Sequence, residues 1–176
     1  MKSAEKRIGN VMKLSFVKGD LIKMAKSSEF DMIIHGCNCF HTMGAGIAKQ
    51  IAKEWPQAFD VDKQTSFGLE SKLGAISVAY SLDGNMAIVN AYTQFQYGNA
   101  SHKFEYGALR SCLSKAFRHA DDVSQYAPEE KFRIGIPHIG AGLAGGIWNH
   151  ILDIIVDEVE ECEYDLDEFV VVEYQK

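Results

Sequence analysis

A single α/β domain with a mixed sheet is the fold this sequence predicts, and three observations predict it. Twice an apolar run passes into a glycine-rich loop and then into apolar positions at helical spacing, around residues 31–52 and 132–159, which is the pattern of strand–loop–helix units. Between them, apolar runs at 75–80 and 87–93 flank Asp83-Gly84-Asn85. Asp-Gly between two apolar runs is a strong hairpin signal, so one strand pair is antiparallel. Finally, 176 residues, 47% of them hydrophobic and 24% charged, suit one domain that buries its own core without disulfide or metal staples.

The elements follow in order. Residues 13–18 alternate polar and apolar side chains, as a half-buried strand does, and Gly19-Asp20 leads into a short helical turn from Leu21. Asp20 is placed to cap that turn, and a carboxylate at a strand's C-terminal end also suits a nucleobase amine. The apolar run Asp31 to Ile34 feeds the loop His35-Gly36-Cys37-Asn38-Cys39-Phe40-His41-Thr42-Met43-Gly44-Ala45-Gly46. A helix over 45–55 ends at Pro56, and a second helical stretch covers 57–65. Residues 87–91 are continuously apolar up to Asn90, as in a strand covered on both faces. An irregular polar loop over 93–103 precedes a helix started by Ser101 or His102, with Phe104, Ala108, Cys112, Leu113, Ala116, Phe117 and Ala120 on its apolar face. Residues 121–131 read as a surface loop and 132–137 as a strand closed by Pro137. A second glycine-rich loop, His138-Ile139-Gly140-Ala141-Gly142-Leu143-Ala144-Gly145-Gly146, opens a helix carrying Trp148, Ile151, Leu152, Ile155 and Val159. The last strand, 169–174, ends at Tyr174, an aromatic suited to stacking on a base.

Glycines at a helix start serve a tight turn, and they also let phosphates approach free backbone N–H groups where the helix dipole favours negative charge. Two such loops in one domain can grip a diphosphate from both sides. Neither has the Lys-Ser/Thr of a P-loop, and neither is a complete GxGxxG followed by an acid about 20 residues on, so ATP hydrolysis and hydride transfer are poor fits.

The formal net charge of −6 argues against non-specific nucleic-acid binding, which comes mainly from lysine and arginine. Residues 1–26 hold seven Lys/Arg against two acids, and residues 151–176 hold ten acids against one lysine, a division expected of solvated faces. No apolar run approaches the ~20 residues of a membrane span, and the start, MKSAEKRIGN, lacks the apolar core of a signal peptide. A cytoplasmic protein with no membrane contact is expected. The four cysteines, Cys37, Cys39, Cys112 and Cys162, fit neither a disulfide framework nor zinc-ligand spacing, so reduced thiols, no structural metal and no cofactor are expected.

Taken together, Val17-Lys18-Gly19-Asp20-Leu21, His35-Gly36-Cys37-Asn38-Cys39, Met43-Gly44-Ala45-Gly46-Ile47-Ala48 and Ile136-Pro137-His138-Ile139-Gly140-Ala141-Gly142-Leu143-Ala144-Gly145-Gly146 resemble a macrodomain, in order, over residues 14–174. The branch they resemble holds the yeast-type ADP-ribose 1″-phosphate phosphatases and the terminal ADP-ribose protein glycohydrolase. The resemblance implies a three-layer α/β/α macrodomain with a mixed central sheet over residues 13–176, after an N-terminal extension of 1–12. It implies that Asp20 binds the adenine amine beside the Leu21-Ile22 backbone, and that Tyr174 flanks the base. Met43, Gly44, Ala45, Gly46 and Ile47, with Ile139, Gly140, Ala141, Gly142 and Leu143, would hold the diphosphate, and Asn38 would reach the distal ribose.

The departures from the branch narrow the chemistry. The glycohydrolase's lysine and aspartate align with Gln94 and Ala144 here, and the aspartate of another macrodomain group aligns with Ala48. Without that amine and carboxylate, lysine-dependent cleavage of glutamate-linked ADP-ribose does not operate. Near the distal ribose there remain Asn38, His41 and His102, and histidine suits proton transfer near neutrality. His35 reads as a hydrogen-bonded core residue, His138 as turned away from the ligand by strand alternation, His119 and His150 as structural or solvent-facing, and Cys37 and Cys39 as small buried residues. The expected activity is hydrolysis of ADP-ribose 1″-phosphate with Asn38, His41 and His102 as catalytic candidates. The alternatives are a non-catalytic reader of ADP-ribose or of ADP-ribosylated protein, and a hydrolase of another ADP-ribosyl linkage such as the O-acetyl ester.

Overall fold

The strand Met32–Cys37 (β2) lies inside the sheet, and its sequence explains why: Met32, Ile33 and Ile34 have no solvent-accessible surface. A strand with a partner on each side and helices over both faces carries a continuous apolar run, because alternate side chains enter two cores. The computed structural model describes residues 11–98, 103–128 and 130–175. Its other strands are β1 (Lys13–Gly19), β3 (Ile76–Tyr80), β4 (Ala87–Tyr92), β5 (Arg133–Pro137) and β6 (Glu168–Tyr174), in the spatial order β1-β6-β5-β2-β4-β3. All neighbours are parallel except β3, which pairs antiparallel with β4. The Asp83-Gly84-Asn85 turn closes that hairpin, with Gly84 at φ +74° and the Asp83 carboxylate accepting from the Asn85 N–H.

The helices are α1 (Leu21–Lys26), α2 (Gly46–Glu54), α3 (Pro56–Lys63), α4 (Tyr106–Ser124) and α5 (Trp148–Glu160). One core joins Ile33, Ile88, Tyr92, Val170 and Val172 to residues of α1, α2 and α3, and the other joins Met32, Ile34, Val89, Ile134, Phe169 and Val171 to α4 and α5. The molecule is therefore a three-layer α/β/α fold with a mixed central sheet. Burying each large aliphatic side chain contributes about 1.5–3 kcal/mol, so the alternating side chains of β2, β4 and β6 secure both helical layers to the sheet. Met12 is packed in the α4/α5 core as well.

Two boundaries, both of α4, differ from the sequence expectation by more than two residues. Helix α4 begins at Tyr106, because Phe104 pairs as an isolated bridge with Gln94 and the Glu105 N–H donates to the Thr93 carbonyl. Phe104 is thus a core residue without being helical, and Ser101 and His102 lie outside the described residues. The same helix continues to Ser124, so the polar stretch begins later than residue 121.

The topology prepares a cleft. The chain leaves β2 through α2 and α3 toward β3 and β4, whereas it leaves β5 through α5 toward β6, on the other face of the sheet. The carboxyl ends of β2 and β5 are thus a switch point, where open α/β sheets bind ligands. The register between them runs only through Met32–Ile134 and Ile33–Gly135, although both strands continue to Cys37 and Pro137.

Candidate functional site

Two loops leave the switch point. In the first, the buried Asn38 organises the backbone: its Oδ1 accepts from the Phe40 N–H (2.8 Å), and its Nδ2 donates to the Thr42 carbonyl (3.0 Å) and Oγ1 (2.6 Å). Both amide hydrogens are used within the loop, and one acceptor lone pair on Oδ1 remains. The turn forces His41 to φ +51°, a left-handed conformation uncommon for a residue with a side chain. Gly44, Ala45 and Gly46 are then exposed, and a Cβ on Gly44 or Gly46 would meet nothing within 4 Å. No side chain caps α2, which leaves its first N–H groups facing that open space. Met43 is buried and supports the loop from beneath.

The second loop folds back on itself, the Gly146 N–H donating to the Gly140 carbonyl (2.8 Å) and Gly145 to Gly142 (3.1 Å). Gly140 has φ +72°, and a Cβ there would run into the Phe104 ring, so neither conformation nor space admits another residue. Gly142 instead borders open space, beside the exposed Leu143. Ile139 is buried and reaches across to Gly36, where a Cβ would meet Ile139 Cγ1 at 3.3 Å and Thr93 Oγ1 at 3.0 Å. Gly36 thus lets the loops after β2 and β5 approach each other. Residues 38–47 and 138–147 contain no Asp or Glu, so nothing in either loop repels an anion, and no Lys or Arg, so an anion there would be held by backbone N–H groups and helix dipoles.

At the sheet's β1 edge, Asp20 caps α1 by accepting the Lys23 N–H (3.1 Å), and its second oxygen lies 3.8 Å from Lys23 Nζ. Tyr174 stands in register with Gly19 and is 64% exposed, so the fold brings Asp20 and Tyr174 together from opposite ends of the chain. Leu21 and Ile22, which follow Asp20 in α1, are buried.

The histidines separate by environment. His41 lies half-buried with Nε2 3.2 Å from Thr65 Oγ1 and its ring edge-on to Phe67. His138 stacks on Trp148 at 4.0 Å, His119 pairs with the Tyr80 hydroxyl, and His150 packs against Tyr106. His35 is buried and held well below the usual imidazole range, at about 4, chiefly by desolvation. Burial also pushes the Cys37 and Cys39 thiols upward, which keeps them protonated and poorly nucleophilic. Gln94 donates to the Gln96 carbonyl, and Ala144 is buried. Among the described residues no three His, Cys, Asp or Glu side chains gather as a metal site would need.

Beneath the first loop lies a polar network that sequence reasoning missed. Asn90 Nδ2 donates to the Ala58 carbonyl (2.8 Å) and Ser77 Oγ (3.0 Å), so its Oδ1 must accept from His35 Nε2 (2.7 Å). Ser77 passes its proton to the Tyr92 oxygen (2.7 Å), and the Tyr92 hydroxyl donates to Asp62 Oδ1 (2.8 Å), which also takes Lys72 Nζ (3.3 Å). Asp62, Lys72, Tyr92, Asn90 and His35 are all buried. The one signal available beforehand was a polar residue where an apolar one is due: Asn90 within a strand covered on both faces, and Asp62 four residues after Ala58 on the buried side of α3. Thr93 was missed too; its buried Oγ1, at the end of β4, has no hydrogen-bond partner among the described residues.

Comparison with known proteins adds relatives to this geometry. A family model described as Macro domain matches residues 34–155. The chain is 38% identical over 149 residues, 82% of its length and 88% of the other's, to an uncharacterized 17.5 kDa protein in the tk-vs intergenic region of Enterobacteria phage T4. It is 26% identical over 156 residues, 77% of this chain and 86% of the other, to the ADP-ribose 1″-phosphate phosphatase of Saccharomyces cerevisiae strain YJM789. A solved structure, Thermosipho africanus DarTG in complex with ADP-ribose, shares the fold with a TM-score of 0.65 at 19% identity, over 94% of this chain and 43% of that one.

Proposed function

The chain belongs to the Macro domain family, and from that membership we propose that it binds ADP-ribose and hydrolyses ADP-ribose 1″-phosphate to ADP-ribose and phosphate. The observation that carries the binding is the pair of acid-free glycine loops at the β2/β5 switch point, with Gly44, Gly46 and Gly142 bordering open space. In this reading the diphosphate lies between those loops, the adenine between Asp20 and Tyr174, and the distal ribose toward Asn38 and His41. The phosphatase activity named for the yeast relative supports the choice of substrate.

His41 is the group for proton transfer. Water gives a proton to its free imidazole nitrogen as the oxygen attacks phosphorus, the P–O bond to the 1″ oxygen breaks, and that oxygen takes the proton back. Backbone N–H groups of the loops offset the phosphoryl charge that develops. The test is calorimetric binding of ADP-ribose, then phosphate release from ADP-ribose 1″-phosphate with and without chelator. Binding with release that His41→Ala abolishes is expected; full activity in that variant overturns the mechanism.

A second reading, a reader of ADP-ribose that turns nothing over, has one observation in its favour. Asn38 uses both amide hydrogens on its own loop, and the buried Asp62 carboxylate is committed to Lys72 and Tyr92 and meets Thr65 only through its backbone carbonyl. Binding without release of phosphate, acetate or protein-linked ADP-ribose would establish it. Acetate release in place of phosphate release would assign the O-acetyl ester.

A further inference from the structure

We propose that Thr65, just beyond the end of α3, is the positioning residue that fixes the tautomer of His41, leaving Nδ1 as the nitrogen that exchanges a proton with the substrate. This rests on the hydrolytic reading of the site for its consequence, though the tautomer itself can be measured without turnover.

A threonine hydroxyl has one proton to give. Thr65 Oγ1 donates it to the Asp62 carbonyl at 2.6 Å, and the Thr65 N–H donates to the same carbonyl at 3.0 Å. At 2.6 Å two oxygens must share a proton, so the hydroxyl hydrogen lies toward that carbonyl and not toward the ring 3.2 Å away. With its proton directed inward, Thr65 Oγ1 can only accept from His41 Nε2, 3.2 Å away. Nε2 of the neutral ring therefore carries the hydrogen, and Nδ1 the lone pair.

The anchor behind this contact is rigid. The Asp62 side chain is buried and held by Lys72 Nζ and the Tyr92 hydroxyl, so the last turn of α3 cannot shift without breaking an internal ion pair. On the other side, Phe67 meets the His41 ring edge-on at 5.4 Å and is itself packed on Phe40 at 5.4 Å. The left-handed backbone of His41 is a local strain of the kind that persists where surrounding contacts hold it, commonly at functional sites. The charged and titratable groups behind the ring are Asp62, Lys72 and Tyr92; Phe40 and Phe67 add none.

The experiment is long-range ¹H–¹⁵N NMR of the full chain with ¹⁵N-labelled histidine, near neutral pH, on wild type, Thr65→Val and Thr65→Ser. His41 is assigned by the signal lost in His41→Ala. The expected wild-type pattern is Nε2–H; Thr65→Val mixes the two tautomers and Thr65→Ser restores the wild-type pattern. With ADP-ribose 1″-phosphate, kcat of Thr65→Val falls by about tenfold with KM nearly unchanged, the loss of roughly one hydrogen bond's orientation, and Thr65→Ser recovers it. An Nδ1–H wild-type ring, or a Thr65→Val spectrum identical to wild type, overturns the proposal. Because an Nδ1–H wild-type ring overturns the proposal by itself, a Thr65→Val chain that fails to fold does not shield it, and Thr65→Ser remains to be read. If no phosphate is released by wild type, the hydrolytic reading falls and the tautomer patterns still decide the positioning.

Discussion

Replacing His35 by glutamine should remove most of the protein's stability change in mild acid. Burial holds His35 near 4 in the folded chain, against an ordinary 6.5. Between these values the unfolded chain binds a proton that the folded chain refuses, so stability is complete above 6.5 and is lost as pH falls toward 4. From about pH 7.5 to about pH 5 the loss from this one group is about 2 kcal/mol, a large share of a stability of 5–15 kcal/mol. Asp31, raised by its own burial, works in the opposite direction, and the carboxylates of Glu54, Asp83 and Glu168 are lowered and lose their contribution only at lower pH. These contributions cancel when wild type and variant are compared. Glutamine keeps an N–H able to reach Asn90 Oδ1 but does not titrate, so His35→Gln has a constant offset and a flatter slope. Urea unfolding followed through the buried Trp55 reads both. Parallel slopes for the two proteins would refute the argument that a neutral, buried His35 controls acid sensitivity.

Three further outcomes follow from the same geometry. Lys72→Met leaves the Asp62 carboxylate buried without its cation and should cost about 3–5 kcal/mol, whereas the double variant Lys72→Met/Asp62→Leu recovers much of it; thermal unfolding measures both. Gly140→Ala forces a Cβ into Phe104 at a positive φ and should lower stability by more than about 2 kcal/mol, while Gly142→Ala changes stability by less than about 0.5 kcal/mol and instead weakens ADP-ribose binding, read by calorimetry. Thr93→Val removes a buried hydroxyl that has no partner among the described residues, so its unfolding free energy should hold steady or rise by about 1 kcal/mol, measured in urea.

Much of the architecture was legible because it depends on local pattern. Period-two and period-3.6 spacing, the Asp-Gly hairpin and the two proline stops each act within a few residues, and all reappear in β3–β4, α2–α3 and β5. The start of α4 was misplaced because its boundary is set by a non-local event. Phe104 continues an apolar spacing that looks helical, but its backbone pairs with Gln94 and its ring fills the space under Gly140.

The same division holds for the candidate site. The order of the motifs determined by itself which backbone segments could face a ligand, because glycines before a helix have few chemical uses and because two such loops sit on strands of one sheet. Tertiary structure alone decided how the side chains are spent. It set Asp20 beside Tyr174 by pairing β1 with β6, and joined residues 35, 90, 77 and 92 into one directed chain of hydrogen bonds that ends on Asp62, into which Lys72 also donates. It also committed the hydroxyl of Thr65 inward so that His41 could present only one nitrogen. Hydrophobic periodicity records whether a residue is inside; it carries no record of which polar group, distant in sequence, satisfies it there, since that partner is chosen by the packing of elements on each other.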